Sequence, residues 1–293
     1  MVQKNCLDKD CIIVVGPTAC GKSDYAIELA KKYNGEIINA DSQQIYKDLC
    51  IGTAKPTIEE MQNIPHHLFD FVDINKEFSV AEYKPLCEKC ITEIKSRGKM
   101  PIIVGGTGFY VQSILYDYSY GNAAKDSSVR DKYQKLLEKY GNEYLYNLLK
   151  IVDETRANSL HPNDTKRVIR ALEIAESGSL PSMVTKSKSK LNAYVIFLNM
   201  DRDKLYSRIN TRVDKMIDLG LENEVKSILN GGATFENQCM KAIGYKEWKP
   251  YFDGKATLED TIELIKKNTR NYAKRQITWF KNSMPYDEIV CKQ

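Results

Sequence analysis

The chain has 293 residues, with 43 Lys and Arg against 39 Asp and Glu, a net charge of +4, and 42% hydrophobic and 28% charged residues. That length can bury a sizeable core in one large domain or a domain with an insertion, and the composition excludes a disordered chain. No apolar run approaches a membrane span and the first residues lack a signal-peptide pattern, so a cytoplasmic location without a membrane partner is expected, and the eight scattered cysteines read as buried or free thiols.

The first predicted element is the strand Cys11-Ile12-Ile13-Val14-Val15, followed by Gly16-Pro17-Thr18-Ala19-Cys20-Gly21-Lys22-Ser23 and an amphipathic helix carrying Tyr25, Ile27, Leu29 and Ala30. Strand, glycine-bearing loop, Lys-Ser and helix make a phosphate-binding P-loop. The glycines let backbone amides and the helix N-terminus face an anion, Lys22 adds a positive charge, and Ser23 offers a hydroxyl to Mg²⁺. The motif alone does not say whether the anion belongs to a nucleotide.

A second strand over 36–40 ends at Asp41. Because strand carboxyl ends face the ligand crevice of an open parallel sheet, Asp41 is expected beside the P-loop; an acid capping the next segment is the equally weighted alternative. A helix over 79–97 contains Cys87 and Cys90 at CxxC spacing, but no second cysteine pair or spaced histidine completes a zinc site. The third strand, 101–104, runs into Gly105-Gly106-Thr107-Gly108 instead of the Asp of a Walker B strand, which weakens an NTPase reading.

From 117 to 192 the pattern is nearly all helical, with apolar residues three and four apart over 129–140, 143–151 and 165–176. This reads as a helical insertion (117–192) into an α/β core (1–116 and 193–293), with 177–181 and the basic run 186–190 as its hinge. A fourth strand spans 193–200, helices follow, and 288–291 reads as an edge strand. Between 264 and 280, Lys266, Lys267, Arg270, Lys274 and Arg275 occur without an acid, interleaved with Tyr272, Trp279 and Phe280. Lys267, Arg270 and Lys274 share a helical face that suits either phosphates or solvent. Strands alternating with helices predict the α/β class, a P-loop core with a parallel sheet flanked by helices plus an all-helical insertion.

Several segments, in order over nearly the whole chain, resemble the tRNA dimethylallyltransferase (tRNA isopentenyltransferase) family. They are Gly16-Pro17-Thr18, Asp41-Ser42-Gln43-Gln44-Ile45-Tyr46, Ile51-Gly52-Thr53-Ala54-Lys55-Pro56, Pro65-His66-His67-Leu68, Gly105-Gly106-Thr107-Gly108-Phe109-Tyr110, 163–173, 208–216, Ala242-Ile243-Gly244-Tyr245-Lys246-Glu247 and 269–280. With no C-terminal zinc finger, the resemblance is to the bacterial form. It implies transfer of a dimethylallyl group from dimethylallyl diphosphate to N6 of adenine 37, beside the anticodon of tRNAs reading codons that begin with U. The partners it implies are the tRNA anticodon stem-loop and dimethylallyl diphosphate, the cofactor is Mg²⁺, and the usual state is a monomer.

By the same resemblance the P-loop, Gly16 to Ser23, grips a diphosphate leaving group, with Thr18 to Gly21 lining the diphosphate or prenyl chain, Ser23 on Mg²⁺ and Lys22 on the departing charge. Asp41 becomes the base for the N6 proton, while Ser42, Gln43 and Gln44 contact neighbouring nucleotides and Thr107 lies near the channel that receives the extruded adenine. Arg208 and Arg212 share a helix face over the diphosphate, with Arg212 favoured to close on it and pairing with Asp214 or Glu222 as the competing role. Arg130, Lys166, Arg167, Val168, Ile169 and Arg170 are expected to approach the anticodon loop, and 238–245 with Lys241 to face RNA, alongside Arg270 and Lys274. Lys166 and Lys241 depart from the residues common in the family. His66 and His67, adjacent and so pointing in different directions, are read as packing and hydrogen-bonding groups. The rivals are an adenylate isopentenyltransferase, which needs neither insertion nor basic helix, a small-molecule P-loop kinase, which would consume ATP, and an inactive RNA-binding module.

Overall fold

The structure, a computed structural model, describes residues 6, 8–118, 127–183, 186–188 and 191–292. The chain divides into two units, Met1–Leu115 with Ser189–Gln293, and Tyr116–Lys188. Among the described residues no helix is long and apolar enough to cross a membrane.

The first unit is built on β1 (Cys11–Val15), α1 (Lys22–Tyr33), β2 (Gly35–Asn39), β3 (His66–His67), α2 (Val80–Ser96), β4 (Met100–Gly105) and α3 (Gly108–Leu115). The second contains β5 (Tyr116–Tyr118), α4 (Ser127–Val152), α5 (Glu154–Asn158), α6 (Thr165–Glu176) and β6 (Lys186–Lys188). The chain then returns to the first unit with β7 (Ala193–Met200), α7 (Arg202–Asp218), α8 (Leu221–Asn230), α9 (Trp248–Phe252), α10 (Leu258–Ser283) and β8 (Glu288–Lys292).

Six strands form one parallel sheet in the order β3-β2-β4-β1-β7-β8. Strands β1 and β2 are buried throughout; β1 is a continuous apolar run, as a central parallel strand requires, whereas β2 also buries Glu36 and Asn39. On one face Ala26, Ile27, Leu29 and Ala30 of α1 close over Ile12, Val14, Ile37, Ile102, Val104 and Ile196. Helix α2 starts on a reciprocal capping box between Ser79 and Glu82. Its Tyr83 stacks on Tyr110 with ring centroids 4.0 Å apart and donates its hydroxyl to the Asn39 carbonyl at 3.0 Å, tying the helix to the end of β2. Both the sheet and the edge position of β8 follow the sequence expectation; β3, two residues long, was not foreseen as a strand.

In the second unit, Val168, Ala171 and Leu172 of α6 pack on Tyr133, Leu145 and Leu149 of α4. Helix α4 is broken at Gly141, whose φ of +81° separates the two helical runs expected from periodicity. Helix α6 has the expected bounds, set by Asp164, which accepts the Arg167 amide, at its start. Of the expected hinge, 186–188 pairs antiparallel with β5 as β6, while 189–190 lie outside the described residues.

Candidate active site

Strand β1 lies in the middle of the sheet and ends at the phosphate loop. A Cβ at Gly16 would stand 2.2 Å from the Leu198 carbonyl oxygen of β7, so the loop leaves the strand against a neighbour that admits only glycine. Gly21 has φ +84° as the residue before α1 and makes no side-chain cap, which leaves the first amides of that helix directed at the loop. The Cys20 side chain turns inward onto Leu198 and Met200, so only its backbone is available to an anion. Lys22 bends back and donates to the Pro17 carbonyl at 2.7 Å. Burial holds its ammonium below the ordinary range, and the Asp41 carboxylate offsets only part of that shift. Ser23 is exposed on the first turn.

Asp41 follows β2 and is held by its neighbour. Asn39 accepts the Asp41 amide at 2.8 Å, and its own amide nitrogen donates to the carbonyls of Asp41 (3.1 Å) and Leu68 (3.0 Å). One carboxylate oxygen of Asp41 accepts the Gln43 amide at 2.9 Å and so caps the following turn, while the other takes no hydrogen bond among the described residues. The Asp41 charge acts on Lys22, Arg212, Tyr110 and Tyr272, which therefore surround it.

Between β1 and β2 runs β4, and its end supplies the Thr107 loop. A Cβ at Gly105 would lie 2.1 Å from the Ala40 carbonyl oxygen, and the Thr107 amide donates to that same oxygen at 3.2 Å. The Thr107 hydroxyl accepts the Ser42 amide at 2.9 Å and donates to the Ser42 hydroxyl at 3.2 Å, so these two expected RNA contacts lock one another in place. Gln44 donates to the carbonyls of Thr53 and Ala54, both at 3.0 Å. The Gln43 side-chain oxygen is buried with no partner among the described residues.

Arg212, half-buried on α7, reaches the Thr53 carbonyl at 3.4 Å. Burial lowers its guanidinium from the ordinary range, and Asp41 opposes that shift. The competing ion pairs do not form: Asp214 binds Lys266 at 2.8 Å and Glu222 binds Lys226 at 2.6 Å. Arg208, one turn earlier and exposed, is close enough for its charge to act on Cys20.

Two supports of this site escaped the sequence reading. Glu224 of α8 accepts the amides of Cys50 (3.0 Å), Ile51 (2.7 Å) and Gly52 (3.0 Å) and the Tyr245 hydroxyl (2.6 Å), fixing the loop that presents the Thr53 carbonyl. Gln276 of α10, buried, joins the Thr18 amide to the Gly106 carbonyl. The signals available were Gly52, where a Cβ would strike the Tyr245 ring at 2.6 Å, and the Gly105-Gly106 pair, which announces a close approach without naming the partner.

Several expected RNA contacts are placed otherwise. Val168 and Ile169 lie in the core of the helical unit, so their side chains hold α6 in place and do not reach its surface. Arg130 and Arg170 both bind the buried carboxylate of Glu173, at 3.0 and 3.3 Å, because an ionised group there needs paired charge. Lys166 and Arg167 are exposed, Arg167 beside Asp164 at 3.2 Å. In 238–245, Cys239, Met240 and Tyr245 are buried, while Gln238, exposed, exchanges hydrogen bonds with the Phe78 backbone and Lys241 projects 3.8 Å from Glu236. On α10, Arg270 donates to Asn210 at 2.6 Å, while Lys267 and Lys274 stay exposed. The aromatic residues of that helix pack inward: Trp279 lies where a Cβ on Gly108 would strike its ring at 2.5 Å, and Phe280 is buried near Phe197. His66 meets the Ile64 carbonyl and His67 meets Glu36, both at 2.7 Å.

A P-loop that faces a strand-end carboxylate across a diglycine loop, with two arginines on the adjacent helix, is a constellation that can be compared with known proteins. A family model described as IPP transferase matches residues 44–283. The tRNA dimethylallyltransferase of Bacillus subtilis strain 168 is 50% identical over 93% of this chain and 88% of its own, and that of Anoxybacillus flavithermus 49% identical over 94% and 88%. Among solved structures, the tRNA isopentenylpyrophosphate transferase of Bacillus halodurans superposes with a TM-score of 0.71 at 42% identity, covering 97% of this chain and 90% of its own. A eukaryotic dimethylallyltransferase acting on tRNA gives 0.80 at 34% identity, over 96% and 73%. A family model over most of the chain and relatives about half identical over more than nine-tenths of it leave one conclusion: the chain belongs to the IPP transferase family.

Proposed function

We propose that this enzyme transfers the dimethylallyl group of dimethylallyl diphosphate to N6 of adenine 37, beside the anticodon of tRNA, releasing diphosphate. The observation that carries the reading is Asp41, with one oxygen committed to the Gln43 amide and the other unbonded among the described residues, its charge acting on both Lys22 and Arg212. A base is thereby set facing the cations that would receive a leaving group.

In this reading N6 attacks C1 of the allylic chain as the C1–O bond breaks; the bonding electrons leave on the diphosphate and the N6 proton passes to Asp41. The adenine amine is a weak nucleophile, its lone pair being delocalised into the ring, so removing its proton matters. Charge grows on the diphosphate as the bond breaks, and Lys22, Arg212 and the amides at the start of α1 gain most at that point, which is what accelerates the step. Burial suits this task, since cations stripped of water act more strongly on a developing anion. Arg208 adds a second arginine at the rim, and Ser42, Gln43, Gln44 and Thr107 line the path of the adenine, which must leave its stack to arrive.

Mg²⁺ would be held by the Ser23 hydroxyl, exposed on the first turn of α1, together with the diphosphate itself. Bound there it would neutralise charge on the leaving group. The exposed cations Lys166, Arg167, Lys241, Lys267 and Lys274 are the candidates for the RNA backbone. A cytoplasmic monomer completes the reading.

The test is incubation with labelled dimethylallyl diphosphate, Mg²⁺ and an unmodified tRNA bearing adenine 37, with AMP as a parallel acceptor. Label at N6 of the tRNA is expected; label on AMP alone would replace this reading with that of a free-nucleotide prenyltransferase.

A further inference from the structure

The buried amide of Gln276 sits where two loops meet, and both of its ends are used. Its oxygen accepts the Thr18 amide of the phosphate loop at 2.8 Å, and its nitrogen donates to the Gly106 carbonyl of the Thr107 loop at 2.9 Å. The partners fix which end is which, because a backbone N–H can only donate and a carbonyl can only accept. The fit leaves no slack: a Cβ on Gly106 would stand 2.3 Å from the Gln276 nitrogen, so the glycine is what admits the amide. From Gly106 the contacts continue through Thr107 to the backbone and hydroxyl of Ser42, next to Asp41. One continuous path thus joins the cradle for the leaving group to the base.

We propose that Gln276 is a positioning residue that sets the phosphate loop at a fixed distance from the Thr107 loop, and through it registers the departing diphosphate against Asp41. The inference rests on the proposed prenyl transfer for its kinetic consequence, though its geometric part concerns only the cradle. Sheet pairing between the two loops ends at Val15 and Gly105; beyond it, among the described residues, Thr107 holds the second loop to Ala40 and Ser42 on the base side, and the Gln276 side chain makes the link to the cradle. Placement on α10 suits the task, because that helix is anchored by the buried Ile265, Ala273 and Phe280. Misplacing reacting groups by about 1 Å can cost about a hundredfold in rate, which is the scale on which such a brace acts.

The experiment compares the wild type with Gln276→Leu, which keeps the bulk and removes both hydrogen bonds, and with Gly106→Ala, which keeps Gln276 and displaces its amide. For each, urea unfolding, affinity for inorganic pyrophosphate with Mg²⁺, tRNA affinity by filter binding and steady-state kcat and KM are measured. Both variants are expected to remain folded and to bind tRNA as the wild type does, to bind pyrophosphate several-fold more weakly, and to lose about 10–100-fold in kcat. A Gln276→Leu enzyme with wild-type pyrophosphate affinity and kcat overturns the proposal, as does a loss of activity that merely follows the unfolded fraction. Should Gln276→Leu fail to fold, Gly106→Ala decides by the same two readouts. If the wild type itself transfers no dimethylallyl group to tRNA, the functional reading has failed, and pyrophosphate affinity still decides whether Gln276 braces the cradle.

Discussion

Substituting Glu36 with Gln tests how the strand that delivers Asp41 is held. Glu36 is the second residue of β2, buried, and receives Arg97 at 2.7 Å, Lys99 at 2.9 Å and His67 at 2.7 Å. Burial works against its ionisation, but hydrogen bonds from Arg97, Lys99 and His67 outweigh that and hold the carboxyl at about 2, against an ordinary 4.5. At about 1.36 kcal/mol per pH unit the difference is about 3 kcal/mol of folding stability. The folded pKa is depressed, so this contribution is complete at pH values above 4.5 and is lost as pH falls toward 2. Glu36→Gln should therefore be about 3 kcal/mol less stable than wild type at pH 7, and more than half of that deficit should be gone at pH 3. Urea unfolding of both proteins at the two pH values reads this directly. A variant as stable as wild type at pH 7, or a deficit that stays constant down to pH 3, would refute the reasoning.

At the base, Asp41→Asn keeps shape and can still accept the Gln43 amide, yet cannot take a proton; kcat should drop by about 10²–10⁴-fold with little change in tRNA affinity, and near wild-type turnover would remove Asp41 from the mechanism. Glu224→Gln turns an acceptor of four hydrogen bonds into a group with one donating end, so the Thr53 loop should loosen. The expected cost is about 2 kcal/mol or more of stability by urea unfolding, with a raised KM for dimethylallyl diphosphate through Arg212, and an unchanged unfolding midpoint would count against the anchor. Replacing Lys267 and Lys274 together with Ala should weaken tRNA binding alike for all substrate tRNAs and flatten its salt dependence by about one unit of slope per lysine; an unaltered slope in filter binding would return that face to solvent.

What could be read from the sequence divides along physical lines. The phosphate loop was legible because its backbone needs glycine at fixed places, and α6 was legible because Asp164 and the spacing of its apolar residues mark its start and its buried face. The same periodicity separates Val168 and Ile169 from Lys166, Arg167 and Arg170; carrying the whole run over as one contact surface ignored the turn of the helix. Strand β3 escaped because two residues carry no period, and its pairing with β2 is settled by the neighbour. Gln276 escaped for a different reason: its partners are backbone groups 258 and 170 residues away, and nothing in the character of a glutamine on a basic helix points to them.

The strand order explains why phosphate loop and base can cooperate at all. The loop follows β1 and Asp41 follows β2, but β4 lies between them, so at about 4.8 Å per strand the two ends stand about 10 Å apart. A gap of that width suits an allylic carbon and a planar base between leaving group and proton acceptor, provided the intervening strand end does not fill it. Strand β4 ends in Gly105 and Gly106, and a Cβ on either would meet Ala40 or Gln276, so the floor of the gap is bare backbone for steric reasons independent of any substrate. The missing Walker B carboxylate at this strand end therefore has a structural counterpart. Where a nucleotide hydrolase would project an acid toward the phosphates, this sheet has a diglycine, and its strand-end acid, Asp41, stands one strand further out, where the proposed reading needs a proton acceptor for the incoming amine.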